Sequence, residues 1–173
     1  MTSSQPGRRA GKILMIMAWA AGLFLATRFF GAWEDKQHNP NTAMESVHTQ
    51  GAIEVRLVGN RQGHFVGTAR INDRAVPFMI DTGATDVAIP GELADELGLE
   101  RGVPLTVSTA NGRVQGFRTR LDRVQLGEIV LRDVRALVTP SLDGDEVLLG
   151  MSAMKQLEFT QRGGTLLLRQ TTP

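Results

Sequence analysis

From Ile13 to Trp33 the chain reads ILMIMAWAAGLFLATRFFGAW, apolar at every position except Thr27 and Arg28. A small water-soluble core has no place for such a run, because a surface helix keeps one polar face and a buried strand is far shorter. As a helix rising about 1.5 Å per residue it just crosses the roughly 30 Å hydrocarbon core of a bilayer, with Arg28 reaching the far interface beside Trp33. Arg8, Arg9 and Lys12 precede it, and the excess of positive charge on the cytoplasmic side puts the N-terminus inside and the chain beyond Trp33 outside. The expected organisation is a basic cytoplasmic N-terminus (1–12), a transmembrane signal anchor (13–33), a linker (34–50) and a folded domain (51–173). A cleaved signal peptide competes with the anchor, with Ala18 and Ala20 as the small residues before the cut. That cut leaves a very short apolar region ahead of it, while apolar sequence continues well past it, which favours the anchor. Ala18, Gly22 and Ala26 recur at four-residue spacing and give one helix face on which two anchors can approach.

The rest of the chain is different material. Residues 34–50, EDKQHNPNTAMESVHTQ, carry no apolar periodicity and contain Asn39-Pro40, the signature of a solvated connection. From Gly51 onward short alternating runs dominate: AIEVRLVG, HFVGTARIN, VPFMI, LTVST, RVQGFRTRL, RVQLG, IVLRDVRALV, VLLG and GTLLLRQ. Turn signals such as Asn72-Asp73 and Asn111-Gly112 separate several of them. Two helical pieces interrupt the strands: PGELADELGL, started by Pro90 and stopped by Gly98, and MSAMKQLEF after Gly150. The pattern predicts a mostly β domain, a small closed barrel with two short helices behind an N-terminal transmembrane helix.

Composition removes several functions. With no cysteine there is no disulfide, thiol nucleophile or cysteine-ligated metal. His38, His48 and His64 are isolated, so no metal site or other cofactor is expected. A net charge of +1 with scattered basic residues argues against a nucleic-acid surface.

Within the domain, FMIDTGATDVAIP places a carboxylate at the end of an apolar strand, next to a glycine that permits a sharp turn. A bare Asp-Thr-Gly is more often a strand-ending turn in which the acid merely caps backbone amides. Here an apolar run precedes it, ATDVAIP follows it, and EVLLGMSAM repeats the theme of an apolar strand that ends in glycine and leads into a helix. The other acids lack such a setting. Glu92, Asp95 and Glu96 fall on an exposed helix face, and Asp143, Asp145 and Glu146 in a polar loop. GMSAM resembles a serine elbow, but Met154 stands where its second glycine is required and no βαβ framework surrounds it. IDTGAT also resembles the phosphate loop of actin-like ATPases, whose two lobes this domain is too short to build.

Together GHFVGTARIN, VPFMIDTGATDVAIP, the ANG hairpin, VLLGMS and RGGTLLLR resemble the retropepsin-like (clan AA) aspartic proteases, most closely their bacterial single-pass membrane members. The resemblance runs from about Gly63 to Arg169 and implies a barrel that is half of a pepsin-type enzyme, completed by a symmetric homodimer. It implies Asp81 as the catalytic acid, Thr82 bracing the two loops across the dimer axis, Gly83 offering backbone groups to the substrate, and Ala84 completing the active-site loop. It also implies Gly150 packed beneath that loop and the strand-turn-strand LTVSTANGRVQGF as a flap with Asn111 and Gly112 at its tip, and Ala84, Asp86, Val87 and Ala88 are expected to line the cleft. The implied activity is a membrane-anchored aspartic endopeptidase without a cofactor. It acts on peptide or protein substrates from the periplasmic face of a bacterial inner membrane. The alternative is a catalytically silent, membrane-tethered module of the same fold that only holds extended peptides. A buried carboxylate kept without a use is costly, which weighs against that alternative.

Overall fold

The computed structural model describes residues 6–109 and 112–172, and the chain divides into two compact units between His38 and Asn39. The first unit is helix α1 (Pro6–His38). Its stretch Ala10–His38 contains an 18-residue window of mean hydropathy 1.8 and is long and apolar enough to cross a membrane, a signature that spans and signal sequences share. The helix runs past Trp33 into the stretch expected to be linker. Pro40 ends it by pushing Asn39 out of the helical region, and Lys36 and His38 match the carbonyl end of the last turn.

The second unit begins at once, so residues 39–50 are not a free linker. Asn41 is 5% exposed. Its amide donates to the carbonyls of Val58 (2.9 Å) and Val66 (2.6 Å), and its side-chain oxygen accepts from the Val58 amide (2.8 Å). A short strand follows, β1 (Ser46–Thr49), joined through a turn at Gly51 to β2 (Ala52–Val58). Its four residues are too few to show alternation, which is why the sequence hides them.

The remaining elements are β3 (Val66–Ile71), β4 (Arg74–Ile80), β5 (Val87–Pro90), α2 (Gly91–Glu96), β6 (Pro104–Thr109), β7 (Gly112–Leu126), β8 (Ile129–Thr139), β9 (Val147–Leu149), α3 (Met151–Met154), β10 (Glu158–Arg162) and β11 (Thr165–Thr171). One sheet has the order β3-β4-β9-β5-β8-β7-β6. Pairing of Arg70 with Gln125 and of Ile71 with Val124 joins β3 to β7 and closes a barrel, leaving β6 outside the ring. A second sheet has the order β1-β2-β11-β10. Its inward residues Val55, Leu57, Leu166 and Leu168 share one core with Ile71, Phe78, Leu121 and Leu149 of the barrel. The expected mostly β closed barrel with two short helices is what the chain forms.

Local departures have physical causes. The two expected runs 113–121 and 123–127 are one strand, β7, because pairing with β8 continues on both sides of exposed Asp122, Leu121 with Val134 and Arg123 with Arg132. The expected helix over 151–159 stops at Met154. From Glu158 the chain pairs with β11, Phe159 opposite Leu168, and that ladder overrides the helical spacing of the sequence. α2 ends near the expected stop, with Gly98 at φ +66.

Candidate active site

β9 lies between β4 and β5, parallel to β4 (Ile80 beside Leu149) and bridged to β5 (Ala88 beside Leu148). The chain must therefore leave the sheet after Ile80, turn over the end of β9 and return at Val87. Residues 81–86 make that turn, and backbone bonds fix them. The Asp81 amide donates to Leu149 O (3.1 Å) and the Ala84 amide to Asp81 O (3.2 Å). From below, the first amides of α3 hold the loop, Met151 to Ala84 O (2.8 Å) and Ser152 to Thr85 O (2.9 Å). Ser152 Oγ accepts from the Val87 amide (3.1 Å) and donates to Arg135 O (2.7 Å), tying the start of β5 to β8.

Gly150 sits directly under this turn. A Cβ there would stand 2.3 Å from Asp86 O and 2.7 Å from Ala84 O, closer than any real contact, so only glycine fits. Glycine is needed at this place for space, not for backbone angle. At Gly83 the Asp81 carboxylate lies 3.2 Å from where a Cβ would be.

The Asp81 side chain is half-buried, and its Oδ1 accepts the Gly83 amide at 2.9 Å. Among the described residues no hydroxyl donates to it, and Ala84, the next residue after Gly83, has none to give. The carboxylate faces a cleft of about 870 Å³. Of the residues expected at the site, Asp81, Gly83, Ala84, Asp86 and Ala88 line this cleft. Thr82 is exposed on the loop and does not line it, and Val87 is fully buried in the core. Gly112, at φ +114, starts β7 away from the cleft lining, and Asn111 lies outside the described residues. Asp86 Oδ1 stands 3.3 Å from Arg135 Nη2, close enough for attraction but not aligned as a hydrogen bond, and that oxygen has no other partner among the described residues.

The walls of the cleft include the hairpin expected as a flap and extend beyond the residues singled out from the sequence. The β6–β7 hairpin supplies Leu105, Thr106, Val107, Ser108 and Val114, and the opposite side supplies Leu137, Thr139, Ser141, Leu142 and Leu148. Leu105 and Val107 are half-buried while Thr106 and Ser108 are exposed, so the alternation in LTVST could have assigned the inner face. Pro140 marks Thr139–Leu142 as a turn, but nothing local marks it as cleft wall. Only the parallel pairing of β5 with β8, Pro90 beside Thr139, brings it to the cleft. Among the described residues no group of three or more His, Cys, Asp or Glu side chains is placed to hold a metal ion.

Residues 67–156 match the family model described as "gag-polyprotein putative aspartyl protease". The chain is 29% identical to a retropepsin-like aspartic protease from Rickettsia conorii whose crystal structure superposes with a TM-score of 0.60, covering 75% of this chain and 97% of that one. It is 34% identical over 125 residues to an uncharacterized protein of the cobV 5′ region of Sinorhizobium sp, covering 70% of this chain and 54% of that protein. It is 31% identical over 108 residues to an uncharacterized protein of Rickettsia prowazekii (strain Madrid E), covering 61% of this chain and 46% of that protein. The chain spans about half the length of the curated relatives it matches.

Proposed function

The chain belongs to the gag-polyprotein aspartyl protease family and has the retropepsin-like fold, and from that premise we propose that it is an endopeptidase whose catalyst is a pair of Asp81 carboxylates, one from each copy of a homodimer. The observation that carries this reading is the Asp81 carboxylate in the cleft, on a loop whose backbone is held from both sides, while the cleft's other acid, Asp86, stands against Arg135. Peptide hydrolysis without a metal or a covalent intermediate needs a base to take a proton from water and an acid to protonate the carbonyl oxygen. One carboxylate cannot serve both needs at once. Two of them about 3 Å apart cannot both ionise comfortably and share one proton. The charged member accepts a proton as the water oxygen bonds to the carbonyl carbon, and the protonated member gives its own to the carbonyl oxygen. Collapse of the tetrahedral species breaks the C–N bond, and the amine leaves with a proton returned by the pair.

Substrate enters as an extended strand between the loop and the β6–β7 hairpin, whose backbone can pair with it. Ala84, Ala88, Leu105, Val107, Leu137 and Leu148 make the walls apolar and favour small or apolar side chains near the scissile bond. Thr82 braces the two loops at the dimer axis, Gly83 offers its backbone to the peptide, and Asn111 and Gly112 form the flap tip. α1 anchors the protein in a bacterial inner membrane with the N-terminus cytoplasmic and the protease domain in the periplasm.

The test is incubation of the full chain in detergent with a diverse peptide library, comparing wild type with Asp81→Asn. Cleavage by wild type alone, with both proteins melting at the same temperature, is the expected result. Cleavage by both contradicts the assignment. Peptide binding without cleavage by either supports the tethered binding module instead.

A further inference from the structure

The Asp81 cleft does not end at its apolar walls. Asp86 and Leu105 line both the cleft and a second groove of about 700 Å³, which continues past Arg118, Arg120 and Arg135. We propose that this groove takes an acidic side chain of the substrate, its carboxylate held by Arg118 and Arg135, so that the protein selects peptides with Asp or Glu at one fixed position beyond the residues that flank the scissile bond. This inference names the substrate class and rests on the proteolytic reading above.

Cleft and groove share one face of one sheet, because side chains two residues apart on a strand point the same way. Ala88, Leu137 and Arg118 are cross-strand neighbours on β5, β8 and β7 and make one row. Two residues further along, Asp86, Arg135 and Arg120 make the next. Ala88 and Leu137 line the cleft, and the whole second row lines the groove. An extended chain that leaves the cleft over Leu105 therefore passes from an apolar row to a charged one.

The backbone fixes where the arginines stand. The Gly102 amide donates to Arg118 O (2.8 Å), and the Arg118 amide donates to Val103 O (3.0 Å). A Cβ on Gly102 would stand 2.7 Å from Arg118 O, so only glycine lets this segment lie so close to β7. With both of its backbone groups turned to that segment, Arg118 faces Leu137 in a non-hydrogen-bonded pair, and two residues on Arg120 faces Arg135 in the same way. Such pairs have Cα atoms about 4.5 Å apart, and like charges set directly opposite repel. The repulsion is relieved outward: Arg120 bonds to Asp133, and Arg135 meets Asp86 at 3.3 Å without the alignment of a hydrogen bond. Arg118 has no hydrogen-bond or ion partner among the described residues. One guanidinium is thus unspent and a second only loosely held. They are diagonal neighbours across β7 and β8, a spacing of about 7–8 Å that two long side chains can close around one carboxylate. Two further acids line the groove, Glu100 on the loop before β6 and Asp122 one row beyond Arg120. They would draw a basic side chain instead, so the sign of the preference is the point to test.

The full chain in detergent is given a peptide that it cleaves, with Glu, Gln or Lys placed in turn at each position on either side of the scissile bond. At one position kcat/KM should be about fivefold higher for Glu than for Gln, with Lys lowest. Arg118→Gln or Arg135→Gln should cancel that preference, and Arg118→Glu should turn it in favour of Lys. Each preference is a ratio taken within one protein, so a variant that folds less well still gives it. Equal rates for Glu and Gln at every position, a preference for Lys in wild type, or a Glu preference that survives both Gln variants overturns the proposal and leaves proteolysis standing. If nothing is cleaved, tighter binding of Glu-bearing than of Gln-bearing library peptides, lost in Arg118→Gln, keeps the acidic site and removes the proteolytic reading. Equal binding then removes both.

Discussion

The floor and the flap of the cleft are built on opposite plans. The floor, residues 81–86, has its backbone held by β9 and α3, and there is no room beneath it for one added carbon. The flap, the outer half of the β6–β7 hairpin, pairs only with itself: β6 touches no strand but β7, and β7 begins to pair with β8 at Phe117. The floor's backbone is fixed by the same hydrogen bonds that complete the fold, so a change that displaces it costs stability and activity together. The flap contributes wall and not core, so its side chains can set what binds at little cost to folding.

The largest effect should follow from loading the floor. Gly150→Ala drives a methyl into the carbonyls of Asp86 and Ala84, and a cost of about 3 kcal/mol or more is expected, read as a lower melting temperature together with loss of cleavage. An unchanged melting temperature would mean that the loop yields and is not braced. The flap should behave oppositely. Val107→Ala removes part of the cleft wall, so kcat/KM should fall about tenfold while stability changes by less than about 1 kcal/mol. Equal losses of stability and activity would erase the distinction between the two regions. The smallest effect concerns tuning within the floor. A hydroxyl introduced by Ala84→Ser, at a place where the pepsin branch usually carries one, would donate to the Asp81 carboxylate and favour its charged form. Both limbs of the pH-rate profile should then move to lower pH, and a profile that stays or moves upward removes position 84 from the tuning of the pair.

The same contrast explains what the sequence could disclose. Asp81, Gly83, Ala84, Asp86 and Ala88 reach the cleft because a carboxylate after the apolar run Phe78–Ile80 must sit at a strand end, and chain order alone puts the next residues beside it. Most barrel strands were legible because inward and outward positions alternate over five or more residues. β1, β5 and β10 were not. β5 has only four residues, three of them buried, and does not alternate; β1 and β10 are short and exposed, and the Met151–Phe159 stretch carries a helical spacing that pairing with β11 overrides. Thr139–Leu142 and Leu148 join the site through pairings distant in the chain, which local periodicity cannot register. Asn41 read as part of a solvated linker, yet it fills three hydrogen-bonding positions between β2 and β3.

The central claim, that one catalytic unit draws an Asp81 from each of two copies, is tested most directly by mixing. Wild type and Asp81→Asn are combined at constant total concentration, allowed to exchange, and assayed for peptide cleavage. If the pair spans the dimer, mixed dimers are inactive and the rate follows the square of the wild-type fraction, so an equal mixture keeps about one quarter of the activity. A rate that falls in simple proportion, keeping about one half, would show that each chain cleaves alone and would contradict the account.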